Sequence, residues 1–373
     1  MRKKRLGVVV NPVAGMGGRV GLKGTDGLRM VGKARKLGAS PESPRRTVDA
    51  LQVVSRIKDE LEVFAYPREM GEYEAVESGL SCTVLGSLAR GESTPEDTLR
   101  AVDAMRRARV DLMLFTGGDG TARDVHRAGA GGLTVLGIPA GVKMHSAVFA
   151  KTPRGAGEAA VEFLSSKRPD VTEGEVMDID EDSFRRGVVA AKLFGYLRIP
   201  AERRFLQGAK SGAAPSGKQA VRGIAGELMS GMDDDTVYIF GPGTTTRDIL
   251  SELGLRKTLL GVDVLRARRL IATDANERQL AALTEGRRAK IVTTAIGGQG
   301  YIFGRGNQQI SAEIIRRVGK ENIVVVATKE KLASLEGRPL LVDTGDASTD
   351  RLLNGFVRVI TGLNDYVVYK VGE

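Results

Sequence analysis

The chain has no tryptophan, a single cysteine and two histidines among its 373 residues. With Cys82 alone no intrachain disulfide can form, so a disulfide scaffold is excluded. One cysteine with His126 and His145 also falls short of the usual zinc ligand set. Aromatics are scarce, ten Phe and seven Tyr, and no basic stretch is interleaved with them. A stacking platform for single-stranded nucleic acid therefore has no support, and no nucleic-acid partner is expected. No apolar stretch approaches the ~20 residues that would span a bilayer, so no membrane partner is expected either. The basic opening is followed by an apolar run that stops at Val10. That run is too short for the apolar segment of a secretory signal, and the expectation is a cytoplasmic protein.

What is present in excess is glycine and positive charge. The 48 glycines are nearly twice the usual share of about 7%. They gather where apolar runs end, around Gly15 to Gly18, Gly117 to Gly120, Gly241 to Gly243, Gly297 to Gly300 and Gly304 to Gly306. Such placement suits loops that turn tightly or approach a ligand closely. The net charge of +10 is dispersed among 46 acidic residues. A basic surface that attracts phosphorylated small molecules accounts for it. Hydrophobic and charged shares of 42% and 27% are those of an ordinary globular protein, long enough for two domains.

Leu6-Val10, Asp111-Phe115 and Leu133-Ile138 read as short buried strands, each ended by a Gly or Pro turn. Helical patterns cover Leu28-Leu37, Pro44-Leu61 and residues 122–128 between them. This alternation predicts an N-terminal Rossmann-like α/β domain over 1–150, a parallel sheet with helices on both faces. Ligands of such sheets sit beyond the carboxyl ends of the strands. Residues 151–373 are expected to form a second lobe, β-rich or α/β, whose last strands return to the first domain. Gln207-Lys218, rich in Gly, Ala and Ser, reads as a mobile loop.

The strongest chemical signal is Thr116-Gly117-Gly118-Asp119-Gly120-Thr121 between a strand and a helix. Glycines let backbone N–H groups face phosphate oxygens, and the following helix points its positive end at the same anion. Asp119, held in the loop rather than buried, suits a general base for an attacking hydroxyl or a magnesium ligand. Lys143 and His145 follow a strand end and a Pro-Ala-Gly turn; the first could neutralise a transferring phosphoryl group, the second could bind ribose or phosphate. His126 reads as structural.

The second half carries two further candidate anion sites. Gly243, Thr244 and Thr245 follow an apolar run and open a helix. Between Gly297 and Gln309, Arg305 could grip a phosphate, while Gln299, Asn307 and Gln308 offer amides for base or ribose edges. Asp263, Asp343 and Asp346 also end apolar runs and read as turn residues, the alternative being a metal or ribose hydroxyls as their ligand.

The pentapeptide 117–121, with the strand before it, resembles the signature of the NAD kinase and diacylglycerol kinase superfamily. Asn11-Pro12-Val13-Ala14-Gly15-Met16-Gly17 is similar to that superfamily's first loop. The stretches Gly137 to Ser146 and Thr293 to Gln309 resemble one branch, the ATP-NAD kinase-like (AcoX-like) proteins. The resemblance runs in order along most of the chain. It implies phosphoryl transfer from ATP, or from polyphosphate, to the 2′-hydroxyl of the adenosine ribose of NAD, with Mg2+. It makes Asp119 the base, sets Gly15, Gly17, Gly117, Gly118, Gly120 and Thr121 on phosphate, and gives Asn11 the donor or the first loop to brace. It implies assembly as a homo-oligomer; the substrate contacts expected in the second lobe, at Gly297, Gly298, Gln299, Gly300, Tyr301, Arg305 and Asn307, rest on the residue types of that glycine-rich cluster.

Two departures stand out. The Asn-Glu pair that holds the acceptor's ribose in NAD kinases does not occur between 121 and 175. The family's Thr-Pro-Thr-Gly-Ser-Thr-Ala-Tyr has its nearest match at Thr294 to Tyr301, without the Ser-Thr pair. Alternative readings are a kinase for another nucleoside, a polyol or a lipid hydroxyl, and a nucleotide sensor that has lost turnover.

Overall fold

The computed structural model describes residues 2–22, 28–88, 93–130, 132–141, 144–179, 191–202, 205–206, 217–296 and 299–372. They form two compact units, Met1–Met16 with Gly24–Ala209, and Gly17–Lys23 with Lys210–Glu373.

In the first unit the described elements run β1 (Lys4–Val10), α1 (Leu28–Lys36), α2 (Ser43–Val54), β2 (Leu61–Ala65), α3 (Glu72–Glu77), β3 (Cys82–Val84), α4 (Pro95–Arg107), β4 (Leu112–Gly117), α5 (Asp119–Arg127), β5 (Val135–Pro139) and α6 (Pro153–Ser165). A hairpin of β6 (Val171–Ile179) and β7 (Ala191–Pro200) follows. The five-stranded sheet has the order β3-β2-β1-β4-β5 and is parallel throughout, with Val8 opposite Ala65 on one side and Leu114 on the other. Strand β4 is wholly buried, which is why Leu-Met-Leu-Phe-Thr-Gly shows no alternation. Helix starts are fixed locally. Asp97 accepts from both the N–H and the hydroxyl of Thr94 at the head of α4, and Thr152 Oγ1 accepts from Gly155 N at the head of α6.

The second unit is also α/β. It contains α7 (Lys218–Ser230), β8 (Val237–Phe240), α8 (Thr244–Glu252), β9 (Asp263–Arg266), β10 (Arg269–Ala272), α9 (Glu277–Thr284), β11 (Ala289–Thr293), β12 (Tyr301–Phe303), α10 (Ala312–Val318), β13 (Ile323–Val326), α11 (Lys329–Ala333), β14 (Leu341–Val342), α12 (Ala347–Leu353), β15 (Gly355–Gly362) and β16 (Asp365–Val371). Its main sheet has the order β10-β9-β8-β11-β13-β15-β16, in which β8, β11, β13 and β15 run parallel. Along β8, Val237 and Ile239 enter one core with α9 and α10, while Tyr238 and Phe240 enter another with α7 and α8. Both faces of this sheet are therefore covered by helices.

Four expectations change. The boundary between the units falls at 209–210 instead of near 150. The β6–β7 hairpin belongs with the first unit, where it packs on α5 and Arg198 bridges to Thr134. The last strands do not return to the first unit; β15 and β16 close the second sheet. The helix expected to run through Leu61 ends at Val54, and a 3-10 segment leads into β2. The Gln207-Lys218 loop lies, apart from its last two residues, outside the described residues.

Candidate active site

In the first sheet the chain leaves β1 toward β2 and β3 on one side, and leaves β4 toward β5 on the other. Right-handed crossovers place the two connections on opposite faces, which opens a crevice at the carboxyl ends of β1 and β4. Three loops meet there. Asn11, just past β1, donates from Nδ2 to Thr121 Oγ1 at 3.0 Å and from its N–H to Thr116 O at 3.0 Å. It accepts from Val13 N at 3.2 Å. Asn11 thus braces the first loop against the central one. Ala140 N and Gly141 N both donate to Gly117 O, at 2.9 and 3.1 Å, and tie in the loop after β5.

The glycines permit this convergence. Gly15 has φ +77°, and a Cβ there would overlap Ala140 O. A Cβ on Gly117 would overlap the Thr121 side chain, and one on Gly118 would stand 3.0 Å from Gly141 Cα. Gly15 is demanded by loop-to-loop packing and Gly117 by the turn into α5, while Gly118 stands close against the loop after β5, before any ligand is considered. Gly120 and Thr121 lie in the first turn of α5, whose N-terminus has no side-chain cap. Gly17 belongs to the second unit, where its carbonyl accepts from Leu22 N.

Asp119 corrects the reading from sequence. It is the first residue of α5 and only 5% exposed. One carboxylate oxygen accepts from His145 N at 2.7 Å and lies 3.1 Å from His145 Nδ1. The other accepts from Ser146 N at 3.0 Å and Ser146 Oγ at 2.7 Å. The helix opens three residues earlier than expected, at Asp119, and the side chain turns under residues 145 and 146 instead of out of the loop. Four contacts use about the full accepting capacity of a carboxylate. Asp119 therefore does not fit magnesium as a direct ligand. Among the described residues no group of three His, Cys, Asp or Glu could hold a metal.

The same geometry sets the tautomer of His145. A carboxylate only accepts, so the Nδ1 facing it is the nitrogen that carries a proton. Ser146, which the sequence did not single out, also accepts from Met177 N at 3.0 Å and so ties the cluster to β6. His126 is structural: a Cβ on Gly195 of β7 would overlap its ring. Lys143 lies outside the described residues, as do Gly297 and Gly298.

Around 299–309 the second unit holds a buried brace where substrate contacts were expected. Tyr301 is fully buried. Arg305, 3% exposed, pairs with Asp343 at 3.1 Å and lies over the Tyr301 ring. Asn307 accepts from Gly304 N at 2.9 Å and donates to Ile302 O at 2.8 Å. Arg305 and Asn307 are thus committed to the fold. Gln299 is buried, and Gly300 makes a turn at φ +79°. Asp263 accepts from Thr258 and Asp274, and Asp346 caps α12. Gly243 and Thr244 open α8, and Thr245 in its first turn accepts from Lys331 Nζ at 3.1 Å.

A doubly wound parallel sheet with glycine loops at its switch point defines a nucleotide-handling α/β enzyme. The ATP-NAD kinase N-terminal domain model matches residues 6–167, and the ATP-NAD kinase C-terminal domain model matches residues 233–371. The chain belongs to the ATP-NAD kinase family: it is a phosphotransferase with a hydroxyl acceptor, and its reaction is NAD kinase-type phosphorylation. No curated protein matches it.

Proposed function

We propose that the chain transfers the terminal phosphoryl group of ATP to the 2′-hydroxyl of the adenosine ribose of NAD, at the carboxyl ends of β1 and β4. The observation that carries this reading is the Asp119–His145 pair, set where the loops after β1, β4 and β5 converge. N–H groups of the first turn of α5, at Gly120 and Thr121, receive phosphate oxygens of the donor. The ribose oxygen attacks the γ-phosphorus. The new O–P bond forms as the bond to the β–γ bridging oxygen breaks, and ADP leaves. The hydroxyl's proton passes to Nε2 of His145. Asp119 is a positioning residue: it holds the imidazole by Nδ1–H and balances the charge of the imidazolium. Magnesium, when present, neutralises the phosphates that carry it and is not held by Asp119.

Incubation with ATP, magnesium and NAD, read out by an NADP-specific dehydrogenase, tests the reading. The wild type is expected to make NADP. His145→Gln and Asp119→Asn are each expected to lose about 100-fold or more in kcat, roughly 2.7 kcal/mol, with ATP affinity within about threefold. No NADP from either ATP or polyphosphate would overturn the NAD assignment. A His145→Gln enzyme within about tenfold of wild type in kcat would remove the imidazole from the mechanism.

A further inference from the structure

Among the described residues β6 has one neighbour in its sheet, β7, and the register of the pair shifts at one place. Val176 stands opposite Gly195 and Met177 opposite Leu193, so Phe194 is an extra residue on β7. Such a bulge bends the strand pair and re-aims the groups beside it. Here the bulge serves both ends of α5. A Cβ on Gly195 would overlap the ring of His126, in the last turn of that helix. Met177, on the other strand, turns its backbone to Ser146, which holds Asp119 in the first turn.

Ser146 takes the place that a neighbouring strand's backbone would have. Its Oγ accepts from Met177 N at 3.0 Å and lies 2.9 Å from Met177 O. Beside it Ala147 N donates to Glu175 O at 2.8 Å. The same Oγ is 2.7 Å from one carboxylate oxygen of Asp119. A hydroxyl has one proton, and two acceptor oxygens face it here. The carboxylate takes it, because a charge-assisted hydrogen bond is roughly twice as strong as a neutral one. The order is then Met177 N–H to Ser146 Oγ–H to Asp119, with His145 Nδ1–H on the other carboxylate oxygen at 3.1 Å. The first two bonds polarise each other in one direction. Ser146 has no exposed surface, and Asp119 and His145 are buried, so bulk water is kept from these bonds. The two backbone donors to Asp119, His145 N and Ser146 N, belong to the segment that carries the imidazole itself. They fix the carboxylate relative to that segment. The hydroxyl adds the tie from the carboxylate to the hairpin.

We propose that Ser146 is a positioning residue for the transfer: through Asp119 it fixes the His145 imidazole against β6 and so sets where Nε2 points. The role in transfer rests on the NAD kinase reading above; the hydrogen-bonded chain does not. Ser146→Ala removes the hydroxyl, and Ser146→Cys nearly keeps the volume with a weak donor. Both are expected to lower kcat about tenfold, since a full 1 Å misplacement costs about 100-fold. KM for ATP and for NAD should stay within about threefold, as for an interaction that matters in the transition state alone. The chain has two histidines, so isotope-labelled histidine gives two sets of ring N–H signals, which His126→Gln assigns. In both Ser146 variants the Nδ1–H signal of His145 is expected to shift or broaden, and the ring signals of His126 to stay. A tie that only holds the hairpin would lower the urea midpoint and leave kcat and the His145 signal as in the wild type; that result would overturn the proposal. So would a rise in KM with kcat unchanged. Should Ser146→Ala fail to fold, Ser146→Cys decides. If the wild type makes no NADP, the His145 signal is the readout: a shift sustains the link from Ser146 to the imidazole and sinks only the NAD assignment, and an unmoved signal overturns both.

Discussion

Glu74, on α3, is 3% exposed, and its Oε2 has no hydrogen-bond partner. Burial is the main cause that lifts its carboxyl from an ordinary 4.5 to about 7, and backbone hydrogen bonds offset this only in part. The fold therefore prefers the neutral acid. Its contribution to stability is fully present below the unfolded value near 4.5 and is lost as pH rises through about 7. Glu74→Gln is expected to leave stability near pH 4.5 almost unchanged and to raise it above pH 7, by at most on the order of 3 kcal/mol. Urea titrations at the two pH values check this, and equal differences at both would refute it. Residue types at the site were legible in the sequence, but their orientation was not. Asp119 in a run of glycines looks solvent-facing, yet four donors from 145 and 146 hold it. Arg305 looks like a phosphate ligand, yet Asp343, 38 positions away, takes it.

Helices α2 and α6 cross closely, and Gly157 lies at the crossing: a Cβ there would overlap Ala50 O and press on Val53. Helix propensity alone says that Gly→Ala stabilises a helix interior by about 1 kcal/mol. At Gly157 the sign is expected to reverse, with a loss of about 1–3 kcal/mol, because the backbone of α2 cannot yield as a side chain does. Gly32 in α1 has nothing within 4 Å of a built Cβ, so Gly32→Ala is expected to gain roughly 0.5–1 kcal/mol. Denaturant melts of the two variants should move in opposite directions; a shared direction would mean that packing does not decide Gly157. Buried strands ended by a glycine or proline turn were readable by their apolar runs, as with β1, β4 and β8. Strand β2 was not, because Leu61-Glu62-Val63-Phe64-Ala65 follows a helix without a breaker and exposes Glu62. Three-residue β3, with its first residue half-buried and the next two exposed, carries too little pattern to be seen.

Across the whole molecule the net charge of +10 acts on anionic substrates before they reach any pocket. Raising the ionic strength from about 20 to about 200 mM shortens the screening length from roughly 20 to 7 Å. We expect kcat/KM for ATP to fall about threefold or more over that range, with kcat nearly constant. A flat kcat/KM would mean that dispersed charge does not steer the donor. Both units are doubly wound sheets whose polar clusters lie at the strand pair where the chain order reverses, β1 with β4 and β8 with β11. In the first unit the glycine loops announce that place. In the second, Lys331 has no local signal, being one lysine of two in a five-residue helix.

The sequence by itself determined the class of fold, the strands that end in glycine, and the family, because these depend on short-range pattern and on ordered motifs. Tertiary structure decided which polar groups face one another: Asp119 with His145, Arg305 with Asp343, Lys331 with Thr245 and Thr294. The partners in these pairs lie 26 to 86 positions apart, and only strand order and the direction of each crossover bring them within 3.1 Å.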